Sequence, residues 1–261
     1  MPELPECEKS RRKVADHCLN RTIEAVEYGE VSHMNLPGGN ARERLVGHRF
    51  TETRRHGKAI FAGSKTGPWI AVRLGMTGSL RPFDADGEAP DYAKVTFVFE
   101  GDRRLAFRNP RKFGVLEVIE DPESYIAETG LGPDAMEIGA DGFAEVIGGT
   151  KGAVKSALMA QTKIAGLGNL WSDETLFRAG LAPDAAANRL SDDTLGQIYS
   201  EMRHVLSHLL DNDADYGTIP GDWLFPHRTD GADCPACGGT IRKSKVGGRS
   251  AFACDTHQKT A

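Results

Sequence analysis

No stretch of this 261-residue chain approaches the roughly 18 consecutive apolar residues that a membrane span requires. The N-terminus, MPELPECEKSRRK, is polar and charged with no apolar segment behind it, so no secretory signal is expected and the cytoplasm is the expected compartment. Internal repeats and low-complexity tracts are absent from the sequence. Cysteine is scarce: five residues, an odd number, do not make a disulfide framework. Net positive charge is lacking as well. The balance of 32 basic against 37 acidic residues gives −5, which on the sum alone argues against a nucleic-acid ligand. What remains, 39% hydrophobic and 26% charged, is the composition of a globular protein with one large or two smaller cores.

The charge is unevenly placed along the chain, and a local field matters more than a sum. Residues 103–112 carry Arg103, Arg104, Arg108, Arg111 and Lys112 with no acid, and residues 242–249 carry Arg242, Lys243, Lys245 and Arg249 with no acid. Between Phe113 and Lys151 lie nine Asp or Glu and no Lys or Arg. Ordinary solvated surface charge would explain this as well as a basic working face with an acidic back.

The first half reads as strands at Thr22–Tyr28, Lys58–Ala62, Trp69–Leu74, Lys94–Glu100, Arg104–Arg108 and Gly114–Ile119, separated by turn clusters such as Pro37-Gly38-Gly39 and Asp84 to Pro90. Short strands punctuated this way predict a β-sandwich or barrel. One helix is predicted before them, from about Pro5 to Leu19. The second half predicts helices near 134–147, 153–162, 169–179 and 191–211, the last from the spacing of Leu195, Ile198, Met202, Val205, Leu206 and Leu209. A linker is predicted between Pro122 and Pro133. The partition is therefore 1–121 for the strand-rich part, 134–221 for the helical part and 222–261 for a short basic tail.

Four motifs carry chemistry. In the tail, Cys234-x2-Cys237 is followed after sixteen residues by Cys254-x2-His257, two knuckles that would close a tetrahedral site around one structural zinc ion. His257 is the ligand for which plain solvent exposure is the ready alternative. The cationic stretch between the knuckles, with Arg249 just after Gly247-Gly248, would make a hairpin suited to gripping phosphate. Upstream, Gly166-Leu-Gly168-Asn169 places a turn before a helix with Asn169 as its expected N-cap. Amides at such a helix start favour an anion. At the N-terminus, removal of Met1 would expose the secondary amine of Pro2, which titrates near ~8 like other α-amino groups. A neutral amine there could attack a sugar carbon and form an iminium, with Glu3 beside it to move protons. Met-Pro-Glu by itself begins many chains. Cys7 and Cys18, eleven apart on one helical face, read as packing residues.

In order along the chain stand Met1-Pro-Glu-Leu-Pro-Glu6, Arg55-His-Gly-Lys58, Leu74-Gly-Met76-Thr-Gly-Ser-Leu80, Asn109-Pro-Arg111-Lys-Phe113-Gly, the Gly166–Asn169 turn and the cysteine tail. Over essentially its whole length the sequence resembles the formamidopyrimidine-DNA glycosylase and endonuclease VIII family. The resemblance implies an α+β fold: an N-terminal β-sandwich with one leading helix, a helix–two-turns–helix domain and a C-terminal zinc finger. It also implies a monomeric base-excision glycosylase and lyase acting on double-stranded DNA with damaged bases or abasic sites, at the nucleoid and away from membranes. By residue, it implies Pro2 as nucleophile, Glu3 as acid–base partner, Glu6 as a further carboxylate, and Lys58 as the lysine that holds phosphate and assists catalysis. Met76, Arg111 and Phe113 would fill the space left by an everted nucleotide, and Lys155, Asn169 and Arg249 would hold DNA. Composition alone would make Met76 and Phe113 core residues.

The sequence also departs from the family pattern. His257 stands where a fourth cysteine is usual, Arg73 where a histidine is common, and Trp171 where a tyrosine is common. The stretch from Asp211 to Asp233 is short where oxidised-purine enzymes carry a covering loop, and Phe225-Pro-His-Arg228 leans toward the endonuclease VIII branch. The Leu-Pro-Glu start and the Leu74–Leu80 run favour the formamidopyrimidine branch, so oxidised purines and formamidopyrimidines are the expected lesions, with oxidised pyrimidines as the alternative. A non-catalytic damaged-DNA binder on the same scaffold would need Asn169, Arg249 and the zinc but neither Pro2 nor Glu3. An unrelated enzyme with an N-terminal proline base would need no cysteine tail.

Overall fold

The computed structural model describes residues 1–29 and 41–260. They fall into two compact units, Met1–Gly130 and Leu131–Ala261. The expected Pro37-Gly38-Gly39 turn lies outside the described residues.

The first unit begins with helix α1 (Leu4–Cys18), whose Pro5 sits in the opening turn where a missing N–H costs nothing. Two four-stranded antiparallel sheets follow. Strands β1 (Ile23–Tyr28), β6 (Ala93–Phe99), β7 (Arg103–Arg108) and β5 (Ser79–Asp84) form one, in that order. Strands β2 (Glu52–His56), β3 (Ala59–Gly63), β4 (Trp69–Arg73) and β8 (Val115–Ile119) form the other. A short helix α2 (Ala41–Leu45) precedes β2. Phe97, Phe99 and Phe107 of the first sheet share one apolar cluster with Ile60, Ile70, Val72 and Leu116 of the second and with Cys7, Val14 and Cys18 of α1. This is the expected sandwich with one leading helix.

Two strands went unread in the sequence for different reasons. β2, Glu-Thr-Arg-Arg-His, is an edge strand with no buried residue, so its sequence carries no apolar alternation. β5 contains Pro82, which a strand tolerates only at an edge, and β5 is an edge of its sheet. The expected linker is also partly helical. Asp121 caps helix α3 (Pro122–Thr129) by accepting from Ser124 N at 2.8 Å, and Gly130, left-handed at φ 63°, ends it.

The second unit contains α4 (Ala140–Gly148), α5 (Val154–Met159), α6 (Asn169–Arg178) and α7 (Asp192–Asp211). The helix expected at 134–147 starts later: Asp134 is buried and accepts from Met136 N at 2.8 Å, which fixes a turn there. Ser191 caps α7 by accepting from Thr194 N. The tail contains the hairpin β9 (Arg242–Val246) and β10 (Arg249–Ala253). It packs into the same unit, with Cys234, Ile241 and Cys254 against Phe177 of α6 and Leu224. Among the described residues no helix is long and apolar enough to cross a membrane.

Candidate active site and nucleic-acid contacts

At the start of α1, Glu3 occupies the N-cap position and Glu6 lies three residues on. Each carboxylate engages the other residue's backbone amide, and the Glu3 N–H donates to Glu6 Oε2 at 2.6 Å. This capping box fixes two carboxylates beside Pro2. Glu3 is 2% exposed, so its carboxyl group is held in place rather than solvated. Pro2 and Glu6 line a cavity of about 360 Å³ together with Lys9, Ser10, Lys13, Leu74, Gly78 and Arg81. Lys9, Lys13 and Arg81 carry no local signal, because only the packing of α1 on β5 places them around Pro2.

Lys58 sits in the turn between β2 and β3, and its carbonyl accepts from the Cys7 thiol at 3.4 Å. Burial pushes the Cys7 thiol up to about 12, and the charges felt there are those of Glu6, Lys58, Arg55 and Glu3. The Lys58 backbone thus packs on the buried thiol of the residue that follows Glu6. Burial also pushes Cys18 up to about 12; both cysteines are packing groups, as their spacing suggested.

Met76 and Phe113 are not core residues. They are 41% and 59% exposed, although the other large apolar side chains of their unit are mostly buried. The Arg111 guanidinium lies 5.4 Å from the centre of the Phe113 ring. The two loops abut through Gly75, left-handed at φ 68°, where an added Cβ would lie 2.6 Å from the carbonyl of Phe113 and 2.7 Å from Gly114 N. Exposed apolar wedges held on touching loops suit insertion between bases.

In the second unit, α5 and α6 are joined by two consecutive turns. Gln161 stitches them, donating to the carbonyls of Met159 at 2.8 Å and Leu167 at 2.7 Å and accepting from Gly166 N. Gly168 is the N-cap of α6, so Asn169, expected as the cap, is its first helical residue. The Gln161 bonds hold the preceding turn, and Asn169 Oδ1 is left buried with no hydrogen-bond partner in the protein. The tail hairpin turns through Gly247 and Gly248, both left-handed (φ 55° and 76°), and projects Arg249 into solvent. Lys155, expected among the DNA contacts, is 0% exposed; its ammonium lies 2.7 Å from Asp173 Oδ1 and donates to the carbonyl of Ser250. It faces protein and not solvent.

Trp171 is buried beneath the short 211–233 stretch, stacked on Phe225 at 5.7 Å and edge-on to Tyr216 at 5.9 Å. Glu174 anchors that stretch by accepting from Leu224 N at 3.0 Å and Phe225 N at 2.8 Å. Burial raises the Glu174 carboxyl to about 7 despite those two amides.

The Sγ atoms of Cys234, Cys237 and Cys254 lie within 4.8 Å of one another, a cluster able to hold a metal ion. Gly239 N donates to Cys237 Sγ at 3.4 Å, the kind of contact that steadies a thiolate ligand. His257 stands outside this cluster. Its ring packs on Phe177 at 4.7 Å, with Nε2 2.8 Å from the Phe177 carbonyl.

The family model for the formamidopyrimidine-DNA glycosylase N-terminal domain matches residues 1–116, and the model for the H2TH domain of the same enzyme matches residues 130–219. A formamidopyrimidine-DNA glycosylase of Laribacter hongkongensis is 30% identical over 99% of this chain and 100% of its own length. One from Methylococcus capsulatus is 32% identical over the same shares. A Lactococcus lactis formamidopyrimidine-DNA glycosylase, solved non-covalently bound to DNA containing an abasic site, superposes with a TM-score of 0.89 at 24% identity, covering 99% of this chain and 100% of that one.

Proposed function

Since the chain belongs to the formamidopyrimidine-DNA glycosylase family, we propose that it is a bifunctional glycosylase and abasic-site lyase of base excision repair that works through Pro2. The observation that carries this reading is the grouping of Pro2 and Glu6 on one cavity with Glu3 locked beside them by the capping box. Met1 is 61% exposed and accessible to removal. The freed imino nitrogen attacks C1′ of the everted nucleoside, Glu3 moves the proton that lets the sugar ring open, and the base leaves. The resulting iminium acidifies the neighbouring sugar carbon, and elimination cleaves the strand. Lys58 holds phosphate, Met76, Arg111 and Phe113 fill the vacated stack, and Asn169 and Arg249 grip the backbone.

The lesion class we favour is oxidised purines and formamidopyrimidines, as the relatives' name indicates. The short segment folded over Trp171 keeps oxidised pyrimidines as a second reading. The metal suited to three thiols is zinc, and His257, which lies outside the thiol cluster, would have to turn its ring toward the sulfurs to serve as fourth ligand. An Nε2–H donated to the Phe177 carbonyl leaves Nδ1 as the lone-pair nitrogen. The enzyme would work at the nucleoid. The test is borohydride trapping on abasic DNA. Protein lacking Met1 gives a covalent adduct, and Pro2→Gly weakens or reroutes it. Full activity in protein that mass spectrometry shows to keep Met1 would refute the nucleophile.

A further inference from the structure

The carboxylate of Asp173, with 0% of its side chain exposed, binds a different cation on each oxygen. Lys155 Nζ is 2.7 Å from Oδ1, while Arg228 reaches Oδ2 at 2.7 Å through a terminal guanidinium nitrogen and 3.1 Å through Nε. Each cation then extends to a second place. Lys155 donates to the carbonyl of Ser250, the residue after Arg249. Arg228 reaches the carbonyl of Asn169 at 3.5 Å and lies 4.4 Å from the centre of the Phe252 ring on β10. The hairpin turn is seated on α5 as well: a Cβ on Gly247 would lie 2.3 Å from Ser156 Oγ.

One charge cluster, buried at Lys155 and Asp173, therefore joins α5, α6 and β10. Burial raises the Asp173 carboxyl, with Lys155 and Arg228 opposing that rise. Such a cluster is a poor source of stability, since apolar residues of equal volume do as well or better. Its best-attested use is to fix one arrangement among several. The arrangement fixed here is the position of the hairpin turn that leads into Arg249 relative to the helix that starts with Asn169.

We propose that Asp173 and Arg228, with Lys155, are positioning residues that set the spacing between Asn169 and Arg249 to match phosphates of one DNA strand. The proposal rests on the reading of those two residues as phosphate contacts given above. Arg228 itself need not touch DNA.

The experiment is a double-mutant cycle on the full-length zinc-loaded protein. It measures the affinity for a duplex carrying a tetrahydrofuran abasic analogue across a salt series. Arg228→Ala is expected to lower the slope of log K against log salt by about 0.9, the equivalent of one lost phosphate contact. Affinity should fall about tenfold, and the Arg228→Ala/Arg249→Ala double variant should bind no worse than Arg249→Ala alone. Arg228→Lys, which keeps the charge against Asp173, should recover most of the loss. Arg228→Gln, which removes the charge but keeps much of the stem and leaves Asp173 paired with Lys155, should repeat the pattern if Arg228→Ala proves poorly folded. A wild-type salt slope in folded Arg228→Ala or Arg228→Gln, or losses that add fully to those of Arg249→Ala, would overturn the proposal. Borohydride trapping of the wild-type protein, run alongside, separates this outcome from failure of the lyase reading, because the cycle requires binding and no chemistry.

Discussion

Gly75→Ala tests whether the two wedge loops behave as one mechanical unit. The residue sits at φ 68°, and a Cβ there would stand 2.6 Å from the carbonyl carbon and oxygen of Phe113 and 2.7 Å from Gly114 N. The left-handed conformation costs a non-glycine residue about 1–2 kcal/mol. Forcing a methyl against backbone that cannot rotate away costs about 1–3 kcal/mol more. Phe113 is 59% exposed and unanchored by core packing, so its loop shifts before the sandwich unfolds. The first unit should then melt some 5–15 °C lower while keeping its fold. The loop should move by about 1 Å, and a misplacement of that size costs about 100-fold in rate. The assay combines thermal melting with single-turnover base release and with the fluorescence of a 2-aminopurine beside the lesion, which reports wedge insertion. Met76→Ala and Phe113→Ala, which remove one wedge without moving the other, are the comparison. Lowered melting accompanied by wild-type insertion and base release would refute the coupling and leave the glycine with a purely structural role.

Glu3→Gln should abolish base release and weaken the α1 cap by about 1 kcal/mol; wild-type base release in that variant would reject Glu3 as the proton carrier. Chelating the metal should unfold the knuckles and abolish binding to abasic-analogue DNA, read by circular dichroism and gel shift, and His257→Ala should bind zinc more weakly by titration; equal zinc affinity would remove His257 from the ligand set. Glu174 should give a stability that depends on pH. Its carboxyl is raised from the ordinary 4.5 to about 7, so its contribution is fully present below pH 4.5 and is lost as pH rises through 7. The size is on the order of 3 kcal/mol. Melting of the wild type should fall more steeply from pH 5 to 8 than that of Glu174→Gln, and parallel curves would refute this.

What could be read from the sequence was whatever depends on neighbours in the chain. The leading helix shows in Pro5 at its first turn, the first cysteine pair is a two-residue spacing, and α7 announces itself through apolar residues at three- and four-residue steps. The edge strands β2 and β5 escaped because neither alternates cleanly: one is polar throughout and the other holds Pro82. Asn169 was placed one position early for a local reason as well. The usual cap signal belongs to a side chain, and here Gly168 takes that position while Gln161 holds the turn. The Asp173 cluster had no local signal at all. Lys155, Asp173, Arg228 and Ser250 are polar residues far apart in sequence, and only the packing of three elements makes burying them affordable. Lys155 shows the limit of carrying a contact over by resemblance: full burial gives it an internal partner in Asp173.

The net charge of −5 resolves on the same ground. A sum counts every ionisable group equally, whereas the field a DNA strand meets is set by groups facing solvent. Asp173 is buried and neutralised twice over, Glu174 is buried with its carboxyl raised to about 7, and Glu3 and Asp134 are buried. These four acids contribute little to any external field. Arg242, Lys243, Lys245 and Arg249 are all exposed on a strand pair that contains no carboxylate. A hairpin of that composition attracts phosphate whatever the total, because screening limits the reach of distant exposed acids to about 8–10 Å at ordinary ionic strength. The acidic run from Glu117 to Glu145 lies instead on β8, α3, α4 and the turns around them. Segregation along the chain thus becomes segregation among elements, which lets an acidic protein offer a basic grip.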